Sequence, residues 1–104
     1  MANDNQALQR VRDSFAQQGA MRTLGAQLTH VAPGEADICF DWAPGLTQQH
    51  GFIHAGMLST AMDSACGYAG FSLMPAEAGV LTIEFKSNLL APAKGQRFRC
   101  EGRV

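Results

Sequence analysis

Asp63 is the only charged residue between Ala55 and Gly70, a stretch otherwise made of small, apolar and uncharged side chains. A lone carboxylate in a buried helix is costly unless it is paired or neutralised. Such a setting suits a general base or nucleophile, and it also suits a carboxylate hydrogen-bonded at an interface. Just upstream, His54-Ala55-Gly56 stands where that helix should begin, with Gly51 before it. The first backbone N–H groups of a helix lack partners and make a ready oxyanion site. Ala55 and Asp63 are eight residues apart, about 12 Å along a helix axis. That is too far for both to act on one carbonyl from a single chain, so a joint site needs a second copy. His50 and His54 are four apart, a spacing that would suit a metal on a helix. They precede the helix and have no evident third ligand, so neither a metal nor a cofactor is expected.

These residues need a frame. Leu8, Val11 and Phe15 recur at helical spacing and Gly19 follows as a stop, which predicts a helix over about residues 5–18. A strand from about Leu24 to Val31 comes next, then a tight turn at Pro33-Gly34. In the strand after it, Ala36, Ile38, Phe40 and Trp42 face one way, and Glu35, Asp37, Cys39 and Asp41 the other. The central helix runs from about 55 to 73. Leu58, Met62, Ala65, Ala69 and Leu73 form one face, while Ala61, Cys66 and Gly67 make the opposite side nearly as apolar. Such a helix is expected to be buried all round. Two further strands are predicted. One covers about residues 79–90, where Leu81, Ile83 and Phe85 alternate with Thr82, Glu84 and Lys86. The other follows the turn from Pro92 to Gly95, with Phe98, Cys100 and Val104 opposite Arg97, Arg99, Glu101 and Arg103. The layout is α+β with antiparallel pairs in a single domain over residues 1–104. Val104 ends the chain inside an alternating pattern with no turn after it, so the chain is expected to be truncated at its C-terminus.

Composition narrows the function classes. The chain has 104 residues, a net charge of −1, 46% hydrophobic residues and 16% charged ones. No basic run is present, which argues against nucleic acid and anionic membrane as partners. The polar opening from Met1 to Gln6 lacks the pattern of a secretory signal, and a cytoplasmic location is expected. Cys39, Cys66 and Cys100 have no metal-ligand spacing and read as small buried thiols. Trp42 and the five methionines read as core or pocket lining.

The run Gln48-Gln49-His50-Gly51-Phe52-Ile53-His54-Ala55-Gly56, with Asp63 and then Gly67 behind it, resembles the signature of hotdog thioesterases of the phenylacetate-degradation type. That signature is a His-Gly-Gly turn with an Asp eight residues after its first Gly. The stretch from Gly79 to Phe85, through Asn88 to Pro92-Ala93, resembles the family's third strand and its turn. The resemblance implies a hotdog fold, an antiparallel sheet wrapped around a central helix, here lacking the last C-terminal strands. It implies an acyl-CoA thioesterase acting as a homodimer or homotetramer. By the same resemblance, the Ala55 N–H polarises the thioester carbonyl and Asp63 of the other subunit activates water or attacks. Gln48 orients water or substrate, Thr82 supports the nucleophilic water, and His54 and Gly56 shape the turn at the substrate. Lys94 is a candidate for the CoA phosphates. Ala55 departs from the family by standing where the first Gly of the turn belongs.

Two other functions fit the same residues. A hotdog dehydratase or hydratase would use a His before the central helix with an acid inside it, and His50 with Asp63 imitates that pair. A non-catalytic acyl-CoA-binding module is the third class.

Overall fold

The computed structural model describes residues 2–104. Helix α1 (Ala2–Gln17) places Val11 fully inside the core and Phe15 against it. The sequence puts a strand after it from Leu24; instead a short helix, α2 (Gly19–Leu24), intervenes. Met21 and Leu24 are buried under it, and Gly25 ends it in the left-handed region at φ 69°. The N–H groups of Gly25 and Ala26 then close on the carbonyls of Arg22 and Met21. Burial of two apolar side chains plus a glycine stop outweighs the strand pattern there.

The sheet is antiparallel, with order β1-β2-β3, formed by β1 (Gln27–Ala32), β2 (Glu35–Asp41) and β3 (Arg97–Arg103). Pro33-Gly34 makes the β1–β2 turn as expected, Gly34 at φ 76°, with Ala32 opposite Glu35. In the centre, Ala36, Ile38 and Phe40 of β2 are almost wholly buried, and Phe40 stacks on Phe98 of β3 at 5.4 Å. Trp42, read as core or pocket lining, lies at the surface, its indole N–H bonded to the Gly51 carbonyl. The outward face of β3 is solvated: Arg97 pairs with Asp41, and Arg103 with Asp37.

Helix α3 (Ala55–Phe71) crosses this sheet, packing on β2 and β3 through Ala61, Ala65 and Ala69. Small residues allow a close approach, closest at Gly102, where an added Cβ would collide with the Ala65 carbonyl. The C-terminal end is capped from outside. Arg10 of α1 donates to the carbonyls of Phe71, Met74 and Pro75 and lies 4.3 Å over the Phe71 ring. A cation there satisfies orphan carbonyls and complements the helix dipole. Ser72 ties the same end to the β1–β2 turn through the Gly34 N–H.

The expected strand over residues 79–90 does not form. The segment has no regular secondary structure and pairs with no strand, with Leu81 92% and Ile83 100% exposed. An alternating pattern makes a strand only where a neighbour accepts its backbone groups, and the sheet offers none beside it. For the same reason α3 is not buried all round. Cys66 is exposed, Met62 and Gly67 are half-covered, and Leu73, expected on the buried face, lies beyond the helix at 56% exposure. The cysteines divide accordingly: Cys39 and Cys100 are buried, Cys66 is not. Among the described residues, no helix is long and apolar enough to cross a membrane.

Candidate active site

The start of α3 is built by its own preceding residues. His54 is the N-cap in extended conformation, and its Nδ1 accepts from the Gly56 N–H at 2.8 Å. In the neutral ring the proton therefore sits on Nε2. Gly56 gives this cap room, since a Cβ there would lie 3.0 Å from Nδ1 and the imidazole would have to shift by a few tenths of an ångström. The His54 N–H is held by the Leu46 carbonyl, and the Ile53 N–H by the Ala93 carbonyl. Gln48 closes the loop before it: its Oε1 accepts from the N–H groups of His50 and Phe52. Among the described residues, the Gln48 NH₂ makes no hydrogen bond. Among the described residues, the Ala55 N–H has no hydrogen-bond partner. An unpartnered first N–H of a helix beside a cavity is a donor available to a developing oxyanion.

Two turns further on, Asp63 is half-buried and accepts a 2.7 Å hydrogen bond from the Thr82 hydroxyl. Thr82, itself in the unpaired segment, therefore reaches the carboxylate directly. Asp63 and Thr82 share a cavity of about 440 Å³ with Ser64, Gly67, Tyr68 and Phe71. Ala55, His54 and Gln48 line a different cavity, of about 640 Å³, closed on its other side by Leu89 to Ala93. Lys94 is exposed next to that second cavity. The expected site residues thus fall into two groups at different levels of α3, and no residue lines both cavities.

The first cavity holds residues the sequence alone did not single out. Gln18 donates to the Tyr68 hydroxyl at 2.7 Å, Ser14 bonds the same hydroxyl at 3.1 Å, and Ser64 lies beside Gln18. The available signal was Tyr68 itself: a buried phenol in an apolar helix requires a polar partner.

Comparison with known proteins agrees with this architecture. A family model described as the thioesterase superfamily matches residues 50–104. A thioesterase family protein of Silicibacter pomeroyi is 57% identical and superposes with a TM-score of 0.90, covering 91% of this chain and 70% of that one. The Escherichia coli PaaI protein, from the phenylacetic acid degradation operon, superposes with a TM-score of 0.76 over 97% of this chain and 72% of that one. At 22% identity that likeness is one of fold. SSO1253 of Saccharolobus solfataricus, provisionally named an esterase, is 31% identical over 94 residues, which make up 90% of this chain. The chain spans 62% of the length of that curated relative. With the family model covering more than half the chain and the fold shared throughout, this chain belongs to the thioesterase superfamily and carries its hotdog fold.

Proposed function

We propose that this chain hydrolyses acyl-CoA thioesters, with aryl-acetyl or medium-chain acyl groups, to the free acid and CoA. The observation that carries the reading is the pair of complementary half-sites on one helix: a carboxylate held by Thr82, and an unpartnered Ala55 N–H. In a joint site the Ala55 N–H of one copy receives the thioester oxygen as it gains charge. Asp63 of another copy takes a proton from water, whose oxygen attacks the carbonyl carbon, and returns that proton to the sulfur as the C–S bond breaks; alternatively the carboxylate attacks first, the C–S bond breaks as the mixed anhydride forms, and water then hydrolyses the anhydride, its proton going to the thiolate. By either route CoA leaves as the thiol. The Gln48 NH₂ is positioned to orient substrate at the Ala55 end, and Lys94 offers a cation to the CoA phosphates at the adjoining surface. Family membership supports thioester hydrolysis as the general chemistry, and the apolar linings by Phe71, Leu58 and Leu90 support an apolar acyl group.

The dehydratase reading has no comparable support, because His50 lines neither cavity. The deciding experiment is a panel of acyl-CoAs with a thiol reagent reporting free CoA, in a Cys66→Ser background because the Cys66 thiol is exposed. Release of CoA is expected. A change in enoyl absorbance without CoA release would indicate dehydration, and tight binding without either would indicate a binding module.

A further inference from the structure

The cavity around Asp63 is not uniformly apolar. Phe71, Val80 and Leu81 form part of its wall, and Gly67 leaves space four residues after Asp63, with Val80 3.9 Å from where a Cβ would be. The flank supplied by the N-terminal helices is polar instead. There the Gln18 Nε2 makes its short bond, 2.7 Å, to Tyr68, which fixes the amide in place. Its contacts with Ser64 are at the limit of a hydrogen bond, 3.4 Å from Nε2 to Oγ and 3.5 Å from the Ser64 hydroxyl to Oε1. Bonds that long are weak. The Gln18 carbonyl oxygen and the Ser64 hydroxyl therefore keep most of their capacity for a ligand while held by the fold beside the carboxylate.

We propose that Gln18 and Ser64 make this cavity selective for acyl groups bearing a neutral hydroxyl or keto oxygen, over plain alkyl groups of the same length. The proposal rests on the reading of Asp63 as the carboxylate that serves the thioester. The substituent is neutral because, among the described residues, the only charged group lining the cavity is Asp63 itself, which repels a second carboxylate and would hold an ammonium group at the wrong end. Its position follows from the helix. Ser64 adjoins Asp63, and Tyr68, which anchors Gln18, lies about 7.5 Å further along the axis. The ligand oxygen lies within that interval, between Ser64 and the anchored Gln18 amide, and an acyl chain of up to six carbons carries an oxygen into it. A site holding polar groups in readiness discriminates against the analogue that leaves them unpaired.

The test compares hexanoyl-CoA with ω-hydroxyhexanoyl-CoA. The expected result is a kcat/KM about tenfold higher for the hydroxylated substrate, the value of one good hydrogen bond. Gln18→Leu and Ser64→Ala should each bring the ratio towards one. A merely structural role for either side chain would lower both rates together and leave the ratio intact. Equal rates for the two substrates, or a ratio unchanged in both variants, overturns the proposal. The same pair as non-hydrolysable thioether analogues, measured by calorimetry, separates the two readings. A preference in binding without turnover supports the selectivity and defeats hydrolysis; turnover without preference does the reverse. Binding of neither analogue, together with no turnover, overturns both.

Discussion

The Asp63 carboxylate receives one hydroxyl hydrogen bond and, among the described residues, is paired with no cation, so an oxygen is open to act on water or on a carbonyl carbon. Asp63→Asn keeps the shape and the Thr82 contact but removes the base. Turnover should fall by at least about 10²-fold, with the melting curve little changed; near-normal CoA release by the variant would remove Asp63 from the mechanism. A different titration belongs to Cys100. Burial, reinforced by the thiols of Cys39 and Cys66, pushes its pKa from 9.0 to about 11. The raised value means that the folded state favours the protonated thiol. The associated stability is fully present below pH 9.0 and is lost as pH rises towards 11. Melting temperature should therefore drop across that window, and Cys100→Ala should flatten the drop relative to its own value at neutral pH. Equal alkaline slopes in the two proteins would show that the thiol is not responsible.

Gly102 shows how an element can depend on an atom that is missing. It sits on the inner face of β3 where α3 crosses, and a methyl group there would meet the Ala65 carbonyl. Neither a main-chain carbonyl nor the middle of a paired strand can yield cheaply. Gly102→Ala should cost about 1–3 kcal/mol and lower the denaturation midpoint, while Gly45→Ala, with open space around it, should not. The sequence hid this contact because Gly102 falls within an alternating pattern and nothing local says that a helix crosses there. What was legible was local. Pro33-Gly34 announced its turn, the period-two run announced β2, and the uncharged run broken by Asp63 announced α3. The His54 turn and Asp63 stood out in the sequence for the same reason. Less legible were features set by distant partners. Leu81, Ile83 and Phe85 alternate as well as any strand here, yet form none, because pairing is decided by what lies alongside. Gln18 gave no sign either, since its partner Tyr68 is 50 residues away in sequence.

At the scale of the whole molecule, the joint site proposed above cannot form within one copy. Ala55 and Asp63 stand about 12 Å apart along a single rigid helix, and they open into separate cavities. No bending of α3 could bring them together without breaking its hydrogen bonds. Two copies related by a twofold axis could, each lending its Ala55 end to the other's Asp63. This arrangement can be tested with variants that each disable one half-site. Ala55→Pro suits the purpose, because Ala55 is the first residue of α3 and His54 before it is already extended, at ψ 136°. Proline is well tolerated at that position and after an extended residue. The substitution therefore deletes the N–H and spares the helix. Ala55→Pro alone should lose about 10²–10³ in turnover, and Asp63→Asn alone should be at least as impaired as argued above. Mixed in equal amounts and allowed to exchange, half of the dimers pair one variant with the other, and each such dimer holds one intact site and one doubly damaged site. Activity should return to about a quarter of the unmodified protein. If subunit exchange is demonstrated by mass labelling and activity stays at the level of the separate variants, Ala55 and Asp63 do not meet across copies.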